Sequence, residues 1–180
     1  MRQRIPLLLL GLLALSACGS RMPQGPQAGA YVGGDVAAEC APFARALSGV
    51  SLYGPAADWW WEASGRYLRQ RTPAEGSVLV LSRSARLPDG HVAVVSRVLS
   101  AREILVTQAN WVHHRVTEDQ PVIDVSTYND WSVVRLWWPP AGEMGITDYP
   151  AAGFIRPERP ASHDQLMVGT PRAIRIVTGG

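Results

Sequence analysis

The chain has 180 residues and 17 basic side chains, all of them arginine, against 15 acidic ones. Setting aside Arg2 and Arg4 in the leader leaves 15 of each sign. The body of the chain is therefore formally neutral, which excludes the basic footprint of a nucleic-acid binder. About 160 residues beyond the leader are enough for one domain with a core of its own.

Residues 1–17 form the leader. Arg2 and Arg4 make a basic n-region, and Pro6 to Ala14 is an apolar run too short to span a bilayer. This run ends in Leu15-Ser16-Ala17-Cys18, which resembles the lipobox of bacterial lipoproteins. The resemblance implies cleavage before Cys18 and a diacylglyceryl group on its sulfur, and lipid chains there would anchor the protein to a membrane. The alternative is an ordinary signal peptide cut nearby, with Cys18 incidental. Gly19 follows, not the Asp that holds such proteins at the inner membrane, so the expected site is the outer membrane, facing the periplasm. Residues 18–30 are rich in Pro, Gly and polar side chains and read as a tether.

Assigning Cys18 to lipid leaves Cys40 without a disulfide partner in an oxidising compartment. Cys40 precedes a short helical pattern: Pro42 suits a first turn, Phe43 and Leu47 share a face, and Gly49 can end the helix. A thiol at a helix start meets unpaired N–H groups that favour thiolate. The competing reading is a small buried hydrophobe.

Pro55 opens a second helical stretch, Ala56 to Tyr67. There Trp59, Trp60 and Trp61 cannot all face inward, since successive helical residues lie about 100° apart. The period then changes. Ser77 to Leu81, His91 to Leu99, Glu103 to Thr107 and Ser132 to Trp138 read as strands, the first apolar on both faces, with Leu87-Pro88-Asp89-Gly90 as a turn. Helices followed by short strands imply an α+β fold, with N-terminal helices packed on an antiparallel sheet. Residues 141–180 carry only a weak strand signal at Ala173 to Val177, and the sequence does not place them.

A cysteine nucleophile needs a base, and the base needs a group that orients it. His91 opens a strand directly after a turn, and Asn110 follows the strand that should pair with it. Asp124 is the alternative third residue. His113 and His114 are adjacent, so on a strand they would point to opposite faces, and no carboxylate or thiol joins them at metal-ligand spacing. Cys40, His91 and Asn110, with the cysteine on an N-terminal helix, make a papain-like set.

Glu39-Cys40-Ala41-Pro42-Phe43-Ala44-Arg45, Gly54 to Trp61, Pro73 to Val78, Gly90 to Val95 and Gln108-Ala109-Asn110-Trp111 together resemble the CHAP domain, the cysteine- and histidine-dependent amidohydrolase/peptidase family. The resemblance spans about residues 31–138 and implies a domain over residues 31–140 with a papain-like fold related to the NlpC-type hydrolases. It also implies peptidoglycan as substrate, cut as an N-acetylmuramoyl-L-alanine amidase or a stem-peptide endopeptidase, with no cofactor and no metal. Some relatives bind calcium near the nucleophile, but Asp35 alone cannot supply six to eight oxygens. Backbone N–H groups of Cys40 and Glu39 would hold the oxyanion, although many relatives carry Gln where this chain has Glu39. Trp59, Trp60 and Trp111 flank the motifs and are expected to wall the substrate groove. A non-catalytic wall-binding or scaffold lipoprotein on the same fold is the rival reading.

Overall fold

A computed structural model describes residues 31–32 and 39–166. The leader, Cys18, the tether, Asp35 and the strand expected at Ala173 to Val177 lie outside the described residues.

Strands dominate the described chain. In order they are β1 (Tyr31–Val32), β2 (Leu68–Gln70), β3 (Val78–Leu81), β4 (His91–Ser100), β5 (Glu103–Ala109), β6 (Val116–Asp124), β7 (Val133–Trp138), β8 (Glu143–Met144) and β9 (Tyr149–Arg156). Helices α1 (Cys40–Ser48), α2 (Trp59–Glu62) and α3 (His163–Leu166) are short. The neighbours run β6-β5-β4-β3-β9-β7, all antiparallel, and β7 pairs back onto β6. The expected antiparallel sheet therefore closes on itself as a six-stranded barrel. The α+β description needs this correction: the molecule is mostly β, with helices as attachments. The long stretch expected over Ala56 to Tyr67 is a 3-10 turn at Ala56–Asp58, the single turn of α2, and then turns.

The two-residue alternation of strands sorts the core into two layers. Leu79, Leu81, Ala93, Val95, Ile104 and Val106 fill the barrel with Phe154, while Val78, Val80, Val92 and Val94 face outward into a second cluster. That second cluster is capped by Phe43 and Leu47 of α1 and by Trp59. A strand covered on both faces must be apolar throughout, which accounts for the unbroken Val78-Leu79-Val80-Leu81.

The barrel is closed by residues the sequence does not place. β9 lies between β3 and β7, pairing Leu79 with Phe154 and Val134 with Tyr149. Beyond it, α3 returns to the barrel, where His163 and Ser96 both reach buried Asp119, the serine hydroxyl at 2.7 Å.

Candidate active site

Helix α1 begins at Cys40, with Glu39 as the extended residue ahead of it and Gly49 left-handed at its end. Phe43 and Leu47 press this helix onto β4, so its first turn comes to rest at the start of that strand. The half-buried Cys40 sulfur meets the backbone N–H of Val92, together with those of Ala41 and of Cys40 itself. Val92 is the residue after His91, so the Cys40 sulfur lies against β4 one residue along from the base candidate.

Gly90 makes this junction possible. Its φ is +72°, and a Cβ there would sit 2.6 Å from the Leu81 carbonyl oxygen and from the Ala57 side chain. Only glycine fits such a left-handed, crowded position without displacing its neighbours.

His91 is buried, with 4% of its surface exposed, and by alternation shares the barrel-facing side of Ala93 and Val95. Its Nε2 lies 2.9 Å from Oε1 of Gln108, itself buried on β5. An amide oxygen can only accept, so the proton sits on Nε2 and Nδ1 keeps its lone pair. Trp111 packs on the imidazole at 5.2 Å between centroids, and its Nε1–H donates to the Trp137 carbonyl at 3.0 Å.

Burial sets the charge states. It pushes His91 down from 6.5 to about 4, against the smaller upward pull of Gln108. Burial also pushes the Cys40 thiol up, aided by the negative charge of Glu39, while the three backbone N–H groups pull it down. The helix start does favour thiolate, as the sequence suggests, but desolvation outweighs it. Both shifts favour the uncharged forms, a thiol at Cys40 and an imidazole at His91.

Asn110 makes a different bond from the one expected of it. Its φ is +59°, its amide donates to Glu39 at 2.6 Å, and its oxygen accepts from the backbone of His114 at 2.9 Å. It ties the residue ahead of Cys40 to the β5–β6 loop, and Gln108 is the group bonded to His91. Asp124 lies at the far end of the β4–β5 hairpin, where it accepts from the Ser126 backbone and pairs with Arg102. Period-two alternation from Val106 is the signal that would have singled out Gln108.

The tryptophans divide. Trp59 is fully buried under α1 and cannot wall a groove, a correction that follows from its place in the outer core. Trp60 is half-buried beneath the guanidinium of Arg69, 5.1 Å from its ring, and lines a hollow with Trp61, Arg71 and Arg83 that does not include His91. Trp111 stands at the site. His113 and His114 stack on each other at 3.8 Å in an exposed turn. Among the described residues no three His, Cys, Asp or Glu side chains gather as a metal site would require.

Residues 29–110 match the CHAP domain family. The chain carries a CHAP domain. CHAP domains as a family are hydrolytic and act on peptidoglycan as amidases or peptidases. The match takes in Cys40, His91, Gln108 and Asn110, and it ends before β6, β7 and β9, which complete the barrel around the CHAP site. Among curated proteins none matches the chain.

Proposed function

We propose that this protein is a cysteine amidohydrolase that cleaves an amide bond of peptidoglycan, either the N-acetylmuramoyl-L-alanine bond or one within the stem peptide. What carries the reading is the junction of α1 with β4. It puts the Cys40 sulfur on the N–H of Val92, the residue that follows His91 on β4, and His91 is itself buried and held through Nε2 by Gln108. The functional logic is papain-like, although the sheet that supports it is a barrel.

Because both partners rest neutral, attack and proton transfer go together. His91 Nδ1 takes the thiol proton as sulfur bonds to the carbonyl carbon, and the backbone N–H of Cys40 donates to the oxyanion. Collapse of the intermediate breaks the C–N bond, and His91 returns its proton to the leaving amine. Water, deprotonated by the same imidazole, then releases the acid from the thioester. Gln108 acts through His91, keeping the productive tautomer, and Asn110 holds Glu39 so that the helix start stays in register. The proposal includes a lipid anchor on Cys18 and a periplasm-facing position at the outer membrane, supported by the Leu15-Ser16-Ala17-Cys18 motif.

Purified sacculi provide the test, with released ends identified by mass spectrometry. Wild-type protein should liberate new amine and carboxyl termini at one bond type, and Cys40→Ala should liberate none. A protein that solubilises no wall would favour the wall-binding alternative, and a Cys40→Ala variant that digests as well as wild type would remove Cys40 as the nucleophile.

A further inference from the structure

A cavity of about 270 Å³ is lined in part by Trp111, the ring that packs on His91. It is built almost wholly from residues beyond the family match. Trp138 and Tyr149 form its aromatic walls, 6.5 and 5.3 Å from Trp111 between centroids, and Leu136 its floor. Two exposed charges of opposite sign stand at the rim. Glu143 is the cross-strand partner of Trp138, and Arg86 is on the loop that leads into His91. Within the described residues neither side chain makes a hydrogen bond or ion pair. The volume falls just below the roughly 300–1,000 Å³ of small-molecule pockets, so it takes one residue and not a length of glycan.

We propose that this cavity is the leaving-group subsite and that it takes an amino-acid residue bearing both an ammonium and a carboxylate. The assignment of side rests on the reaction proposed above. His91 hands its proton to the departing nitrogen, so the amine half of the substrate runs past His91 and the ring that covers it. The assignment of chemistry is independent of the reaction. Glu143 meets the ammonium, Arg86 the carboxylate on the same carbon, and the methylene stem that leads to that carbon lies on Trp138 and Tyr149. In a wall stem peptide the residue with that zwitterionic end is a diamino diacid such as diaminopimelate; a lysine there offers only the ammonium. The rim charges are exposed and the contacts modest, so they select between such residues and do not supply the bulk of affinity.

Binding tests this without any turnover. Cys40→Ala protein is titrated with a stem tripeptide ending in diaminopimelate, and with its lysine counterpart, following tryptophan fluorescence. The expected result is saturable quenching with the first peptide and Kd weaker by roughly fivefold to tenfold with the second. Arg86→Gln should erase that difference, and Glu143→Gln should weaken both peptides. Equal binding of the two peptides, absence of saturable binding, or indifference to both substitutions would each overturn the subsite, even in a protein that digests sacculi. Competition by N-acetylated sugar, with no response to peptide, would reassign the cavity to glycan. Saturable, rim-dependent binding in a protein inert on sacculi would uphold the subsite and sink the reaction.

Discussion

Replacing Gln108 by Glu isolates the electrostatics of the site, because it changes one atom of the group bonded to His91 and leaves the shape alone. In wild type the imidazole is pushed down to about 4 by burial, with only a neutral amide oxygen 2.9 Å from Nε2. A carboxylate oxygen at that distance would attract an imidazolium by about 6 kcal/mol at an effective dielectric near 20. Much of this is offset by burying the new charge where Gln108 is almost wholly enclosed. Opposite charges in contact typically shift a partner by about one to three pKa units, which moves His91 into the range of roughly 5–7. The substitution also removes the Gln108 Nε2, a buried donor with no hydrogen-bond partner among the described residues. The assay is the acid limb of kcat/KM on a soluble wall peptide, which reports the base in the free enzyme. The limb should extend to about pH 4 in wild type and rise by about one to three units in Gln108→Glu. Superimposable limbs in two folded proteins would refute the placing of Gln108 as the partner of His91.

The same buried imidazole makes stability depend on acid. A His whose folded value is lowered from 6.5 to about 4 leaves the unfolded chain holding more protons between those limits. Stability should be full above about pH 6.5 and decline towards pH 4 by about 3 kcal/mol, and denaturant melts of His91→Gln should lose much of that slope. For Cys40, iodoacetamide modification followed across pH should inflect above the roughly 8.5 of a free thiol. Glu39→Gln should lower the inflection, since the charge of Glu39 is one of the causes that raise it; an inflection below neutrality would contradict the neutral-pair reading. Gly90→Ala should cost about 1–3 kcal/mol in thermal or chemical unfolding, through the left-handed φ and the clash with Leu81 and Ala57. It should also depress turnover of the folded fraction by displacing His91.

What could be read directly was whatever obeyed a local rule. The start of α1 at Cys40 and its stop at Gly49 follow from proline and glycine placement, and β3, β4 and β5 from apolar runs bounded by turns. β6 hid because Glu118, Asp119 and Gln120 interrupt its apolar pattern and Pro121 sits within it, yet Asp119 and Gln120 are buried in the finished barrel. β9 hid behind Pro150 and Gly153, residues that argue against a strand until its two neighbours are known. The third site residue turned on a single backbone angle. Continuing the register that pairs Val94 with Thr107 would set Asn110 opposite His91. The strand stops at Ala109 and Asn110 swings into the left-handed region, so its amide reaches Glu39. Asn tolerates that conformation better than most residues, but nothing local demands it. Trp59 went to the core because closure of the barrel leaves the outer faces of β3 and β4 needing a large cover.

The position of β9 has a consequence for when the protein can work. Nucleophile and base candidates are both synthesised within the first 91 residues, but β3, which precedes the His91 strand, is flanked on its other side by residues 151–155. A nascent chain ending near residue 140 would leave β3 with an open, wholly apolar edge and β7 without β9, a template for aggregation rather than a frame for His91. Pairing across some seventy residues is slow to form, and it completes only after β9 has been synthesised. On the proposed reading, the topology leaves the enzyme inert until β9 has paired, and its active life begins with the closing of the barrel.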